Sequence, residues 1–476
     1  MRIRWIGTSR AVTALGAILM AFANPTFSAD SRAENDLIFQ DRLEAEIVQV
    51  PGRVAERIVA ARELSSSANS IAALGTQAVF TLGQRSNREI WFADGTDEGS
   101  YAIELPEGYE DVTVQGHVVR GDRIYFFASP GSGVTDIWAT DGTEPGTEQV
   151  VDGTALGLDQ PLRELTRFGD SIAFQTFQDG ARRVFLLDES ALGGASVVED
   201  LRVNGNTSRA LAALGQTLYV SGSLNGVDGL VRLTSAGATS QAWEMEQDGP
   251  GDRSLPQSMT VSGNSVYFSA SQGEGVALWR HTVGGGTLRL FNPREEAEYM
   301  RGASNLVAVS GGLYFFTFPW NPDSAAFVTR ERLAFTGGTA SGTDWYWPPL
   351  DQQGILNGAN VEVAALGQRM LFRAEITNGT APGTREKIYD GVSNIRPDHT
   401  VPGINGIWLT ATNGRFVAFA GFDDGDSFVV EEPEGLRVNN NVVNIALVDG
   451  LPWIIARNGF SGGWEIWRIA PDISEP

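Results

Sequence analysis

The sequence has no cysteine, a single lysine, three histidines and, beyond its N-terminus, no apolar run near 20 residues. Each scarcity removes a class of chemistry. Without cysteine there are no disulfides, no thiolate metal sites and no cysteine nucleophile. With Lys387 as the only lysine, Schiff-base catalysis and lysine-bearing phosphate loops are nearly excluded. His117, His281 and His399 are far apart in sequence, and none has a second histidine at metal-ligand spacing. There is no G-x-S-x-G elbow, no G-x-x-x-x-G-K-[ST] loop and no strand–G-x-G-x-x-G–helix unit. Positive charge is also short. Lys+Arg number 35 against 58 Asp+Glu, a net charge of −23, which argues against nucleic acid or an anionic membrane as the main partner.

What remains can build a core. The chain has 476 residues, 42% of them hydrophobic, which excludes global disorder. Arg2, Arg4 and Arg10 precede an apolar stretch from Ala11 to Ala23, which is too short for a membrane span. Small-residue exits follow at Ala23 and Ala29. This pattern predicts a secretory signal over residues 1–29, cleaved after Ala23 or Ala29, and an exported protein, periplasmic or extracellular. Cleavage removes three arginines and takes the charge from −23 to about −26. Residues 30–69 then form an N-terminal segment, and 70–476 a repeat array.

The array is read from its turns. Gly75, Gly121, Gly169, Gly215, Gly263, Gly311, Gly367, Gly414 and Gly450 recur about every 47 residues, each between two short apolar runs. The run after each turn is rich in β-branched and aromatic residues (AVFTL, IYFFA, LYVSG, VYFSA), which predicts strands. A third run follows, as in Glu89-Ile90-Trp91 and Asp136-Ile137-Trp138, then a polar turn and a fourth run. In units six and seven the third run, at Arg332-Leu333-Ala334 and Lys387-Ile388-Tyr389, comes late and predicts insertions. Four short antiparallel strands per unit predict an all-β fold: a single large β-propeller of about eight to nine four-stranded blades. The last unit lacks a fourth strand before the chain ends. Residues 36–50 supply a candidate, so an N-terminal strand is expected to close the ring. Val54–Leu64 is expected to form the one short helix.

Two hairpins carry a sharper motif. Glu89-Ile-Trp-Phe-Ala-Asp-Gly-Thr-Asp-Glu-Gly-Ser100 and Asp136-Ile-Trp-Ala-Thr-Asp-Gly-Thr-Glu-Pro-Gly-Thr147 resemble the bacterial ELWxxDGT-repeat family. Thr336–Thr343 is a degenerate copy, and Asn378–Thr384 is another whose frame is ambiguous. The resemblance implies an exported, propeller-like repeat protein. It brings no established activity, and none is carried over.

The motif Asp-Gly-Thr groups read as stereotyped hairpin turns. Calcium is retained as a weak candidate ligand, better suited to the acidic loop Asp423-Asp424-Gly425-Asp426; no other cofactor is expected. Trp91, Trp138, Trp279 and Trp467 recur at one strand position and are expected to pack between neighbouring sheets. Trp320, Trp345 and Trp347, in or beside the unit-six insertion, are the candidates for a ligand-binding platform. No catalytic signature emerges. The expectation is a non-catalytic binding or scaffold module for a protein or glycan partner. The alternatives are a carbohydrate-active propeller enzyme using channel carboxylates and a structural component of the envelope or matrix.

Overall fold

The computed structural model describes most of residues 70–345, residues 442–457 and 464–471, and single strands in the remaining segments. It is all-β, with no α-helix among the described residues. The strands form four-stranded antiparallel sheets in simple sequence order, a propeller-like arrangement. Unit one joins Ile71–Leu74, Gln77–Gln84, Asn87–Ala93 and Tyr101–Ile103. Unit two joins Asp111–Arg120, Arg123–Ser129, Asp136–Thr140 and Glu148–Val151.

The sequence builds these sheets because its apolar residues run in pairs. Successive side chains of a strand point to opposite faces, and here both faces are covered. On Asn87–Ala93, Trp91 faces Val448, Trp453, Ile455 and Ile466 of the last unit. Its neighbours Ile90 and Phe92 face Val112, Val114, Ile124, Phe126 and Trp138 of unit two. The pattern repeats one unit on, where Ile137 and Ala139 pack with Leu165, Ile172, Phe174 and Phe185 of unit three. Phe80, Phe92, Phe126 and Phe174 are wholly buried. Each such side chain contributes about 1.5–3 kcal/mol by leaving water. The first strands of consecutive units are neighbours along the chain, and Val442–Val448 of the last unit lies beside Ile71–Leu74 of the first.

The first strands come in two kinds. In units one, four and seven they are four residues long, Ile71–Leu74, Leu211–Leu214 and Val363–Leu366, each reading Ala-Ala-Leu before the turn glycine. Elsewhere they run from six residues (Arg163–Phe168) to eleven (Tyr299–Val309). The longer ones carry β-bulges, and Gly116, Glu164 and Ser258, each five residues before its hairpin turn, take positive φ there.

Units three and four share more than a packed face. The fourth strand of unit three, Ala195–Val203, pairs with the second strand of unit four, Thr217–Leu224, making one continuous sheet. Val203 stands opposite Gly222.

Four expectations are corrected. The strand beside the end of the chain is Arg53–Val59, paired with Trp464–Pro471, and not one within residues 36–50. The same pairing replaces the helix expected over Val54–Leu64 as far as the described residues go: Arg53–Val59 is extended, because its residues gain a partner strand. In unit seven the third strand is Glu375–Thr377, two residues after Arg369–Phe372, and Lys387 belongs to the fourth strand, Arg385–Lys387. The tight hairpin leaves no insertion there, and Asn378–Thr384 falls between third and fourth strands, as the intact motifs do. In unit eight the strands Pro397–Pro402, Gly406–Ala411, Val417–Gly421 and Ser427–Val430 place Asn413-Gly414 between the second and third strands. An Asn-Gly pair marks any tight hairpin, so it does not identify which one. Arg4–Ile6 and Ile47–Val48 extend this sheet beyond Ser427–Val430.

A Cβ on Gly222 would sit 2.2 Å from the Arg202 carbonyl oxygen. Gly222→Ala is therefore expected to cost about 1–3 kcal/mol, read as a lower denaturation midpoint. The analogous change at Gly226, where nothing lies within 4 Å but φ is +83°, is expected to act only through backbone strain of about 1 kcal/mol.

Candidate functional site

The motif turns can be read atom by atom. In unit two, Asp141 Oδ1 accepts hydrogen bonds from the Thr143 N–H at 2.9 Å and the Thr143 hydroxyl at 2.7 Å. Thr143 Oγ1 in turn accepts from the Gly146 N–H at 3.0 Å, and the Thr147 hydroxyl donates to the Thr143 carbonyl at 2.7 Å. Unit one repeats this with Asp94, Thr96, Gly99 and Ser100, at 2.9, 2.8, 2.9 and 2.8 Å. Asp188 and Ser190 keep the first part in unit three. In each, the threonine or serine donors hold the aspartate below its ordinary pKa.

The glycines are as constrained as the polar residues. Gly142 has φ +94°, and a Cβ there would meet Gln77 and Phe92 of unit one. Tyr101 of unit one donates its hydroxyl to the Gly142 carbonyl at 2.6 Å. Gly95 lies against Arg468 of the last unit, and Gly338 of unit six against Tyr267 and Arg280 of unit five. Gly146 leaves room for the Asp141 carboxylate, which a Cβ would meet at 2.0 Å. The motif thus closes a hairpin and seats it on the preceding unit. Its acids are spent on local donors rather than grouped, and among the described residues no three metal-ligating side chains cluster.

The motif tryptophans belong to the packed seams. Trp91, Trp138 and Trp279 are buried, and Trp467 is half-buried. Tyr109 meets Trp138 edge-on at 5.0 Å, and Trp243 of unit four meets Trp279 of unit five at 5.2 Å.

Because the strands are antiparallel, first–second and third–fourth turns share one end of each sheet. Cross-unit bonds show this end to be common to neighbours. Arg120 reaches Glu189 at 3.1 Å, and Arg167 donates to the Val119 carbonyl at 2.8 Å. The opposite end carries the second–third loops and the unit-to-unit connections, which vary in length. Trp320 ends the strand Gly312–Trp320 at this connection end, whereas Trp345, the third residue of Thr343–Trp345, stands nearer the hairpin end. Trp345 is level with Phe315 across Ala334, so Trp320 lies roughly 17 Å further along the strand direction. Trp347 and Asp423–Asp426 lie outside the described residues.

A group that the sequence reading missed sits at the inner edge of the same end. Glu164, with φ +57° in the bulge of Arg163–Phe168, turns its carboxylate toward unit four. It accepts from the Leu211 N–H at 3.2 Å and from Gln175 Nε2. Burial pushes its pKa up against these bonds and the nearby Arg182. The sequence offered little signal, since Arg163-Glu164 opens a first run, Arg163–Phe168, that also carries Thr166 and Arg167. His117 and His281 are not brought together. The Nδ1 of His117 lies 2.8 Å from the Val114 carbonyl, and that of His281 lies 2.9 Å from Thr287 Oγ1. His399 lies on the strand Pro397–Pro402.

Gly142→Ala is expected to cost about 1–3 kcal/mol, whereas Gly337→Asp, which restores the motif carboxylate, is expected to be neutral or to stabilise by up to about 1 kcal/mol. Urea titrations of both check this. Burial lowers the pKa of His117 and His281, so the folded state holds them neutral while the unfolded chain protonates near 6.5. Their contribution is complete above about pH 6.5 and declines as pH falls below it. The lowered aspartates add a second loss below about pH 3.8. Melting temperature against pH should fall in these two windows, and His281→Gln should flatten the upper one.

No protein-family model matches the chain. No curated protein matches it. Among solved structures it is similar to Sqt1 of Saccharomyces cerevisiae, with 11% identity over 88% of this chain and 100% of that one and a TM-score of 0.44. It is also similar to YCF48 bound to a D1 peptide, with 10% identity over 88% and 97% of the two chains and a TM-score of 0.37. TolB from Acinetobacter baumannii shows 12% identity over 89% and 80%, with a TM-score of 0.28. Similarity this distant carries none of those proteins' functions to this chain.

Proposed function

We propose that the chain is an exported, non-catalytic binding or scaffold module of the ELWxxDGT-repeat type, built as a closed ring of nine units. One observation carries the functional reading. The Asp-Gly-Thr turn of the repeated motif is used by its own hairpin and by the seam with the preceding unit. One face is thereby fixed, and sequence variation is left to the connections on the other. Loops that vary over a rigid scaffold are where recognition is placed. The partner, a protein or a glycan, is met by this connection face, where Trp320 borders the long second–third connection of unit six; Trp345 and Trp347 remain sequence-based candidates for the same platform.

Two observations support the ring. Arg53–Val59 gives the last unit its fourth strand, and four-residue first strands recur at units one, four and seven, as three sets of three units would have them. On the export reading, Arg4–Ile6 leaves with the signal, and Ser427–Val430 becomes the outer strand of unit eight.

N-terminal sequencing of the protein from its producing cell should begin at Asn24 or Asp30. Deleting residues 321–331 should abolish capture of the partner from an envelope extract with the melting temperature unchanged. Gly142→Ala should lower the melting temperature and leave capture intact. Turnover of a polysaccharide, lost on replacing a single acid, would contradict the reading.

A further inference from the structure

We propose that Asp136 is a positioning residue of the connection face, its one carboxylate presetting both connections that flank unit two. The role rests on the binding-module reading and deepens it, naming a part of that face that is held in shape before a partner arrives. The first letter of the motif is acidic in units one, two and nine, as Glu89, Asp136 and Glu465. It stands at or near the start of the third strand, away from the Asp-Gly-Thr turn. In unit one, Glu89 accepts from the Trp91 indole N–H at 3.1 Å, a bond within its own strand. In unit two, Asp136 reaches outside its strand.

Asp136 is buried, and both its oxygens are engaged. Oδ2 accepts from the Tyr109 hydroxyl at 2.6 Å and from Gln149 Nε2 at 2.9 Å. Oδ1 accepts from the Gly153 N–H at 2.8 Å. Tyr109 belongs to the connection from unit one, residues 104–110, and Gly153 to the connection into unit three, residues 152–162. Each connection folds around its anchor. Tyr109 lies edge-on to Trp138, and its N–H donates to the Pro106 carbonyl at 3.3 Å. Beyond Gly153, the Leu156 and Leu158 N–H groups donate to the Asp152 and Gly153 carbonyls at 3.1 Å. Unit three holds the far part, Gln178 Nε2 donating to the Leu156 carbonyl and Thr176 Oγ1 to the Gln160 carbonyl, both at 3.0 Å. Only glycine fits at 153, where a Cβ would sit 2.7 Å from the Thr135 carbonyl oxygen. A buried, fully bonded polar group rigidifies what bonds to it, and loops ordered in advance lose less freedom on binding. Pro106, Glu107, Thr154 and Ala155 are presented to solvent on these two connections.

The test is amide hydrogen–deuterium exchange of the full mature protein, read by mass spectrometry with no partner present. Asp136→Ala removes the shared acceptor, and alanine already stands at this place in unit five, as Ala277. Exchange in that variant is expected to rise at least tenfold in peptides covering 104–110 and 152–158 alike, and to stay unchanged in Thr217–Leu224 of unit four. In Tyr109→Phe it is expected to rise over 104–110 alone, because Gly153 keeps its acceptor. A rise in only one connection of Asp136→Ala, in neither, or equally in unit four would overturn the role. Unchanged exchange over 104–110 in Tyr109→Phe would overturn it too, even where Asp136→Ala does not fold. Since no partner takes part, failure here removes the positioning role alone, whereas failure of extract capture removes the binding-module reading.

Discussion

Burial of both faces of a four-stranded sheet leaves a strand no polar side, so side-chain alternation must serve two neighbours at once. Ile90 and Trp91 show how. They are adjacent in sequence, yet they lie in two different cores, one shared with unit two and one with the last unit. The recurring Ile-Trp pair is thus an instruction for two seams. It also explains why the apolar runs are continuous where a half-buried strand would alternate. No disulfide shares the load, and the seams hold the described units together by packing and a few cross-unit hydrogen bonds.

The hairpin motif solves the problem this packing creates. Turns that lie against a neighbouring sheet cannot spread, and each must bond its own polar groups. The aspartate and threonine do so internally, while Gly95, Gly142 and Gly338 let the backbone close on the preceding unit. Where the letters drift, the bonds are replaced rather than lost. Unit six has Gly337 in the aspartate position, and its N–H donates to the Gly342 carbonyl instead. Unit three has Glu189 in the glycine position, and Arg120 of unit two reaches that carboxylate. The same face is therefore kept short and regular in units that no longer share its sequence.

Strand type and the frame of the first six units were legible, because turn glycines and paired apolar residues mark them directly. The burial of Trp91, Trp138 and Trp279 followed from their common strand position. The misreadings share a cause, which is that turn chemistry identifies a hairpin without numbering it. Asn413-Gly414 in unit eight and the short Phe372–Glu375 turn in unit seven both shifted the frame by a strand. Arg53–Val59 has apolar residues that suit a helix or a strand, and only its pairing with Trp464–Pro471 decides. Glu164 was illegible for another reason. Its partners, Leu211 and Arg182, are 47 and 18 residues away in sequence, and only the fold brings them together.

The proposed closure of the array by its N-terminal strand is the step on which the functional reading rests, since a closed ring would leave neither end of the array with an unburied sheet face. The absence of cysteine makes it directly testable. Ala55 stands opposite Ile469, and facing strand positions lie about 4.5–5.5 Å apart, within disulfide reach. A chain carrying Ala55→Cys and Ile469→Cys should form an intramolecular disulfide on oxidation and melt at a higher temperature than its reduced form. Failure to cross-link, or cross-linking only between molecules with no gain in melting temperature, would contradict the account.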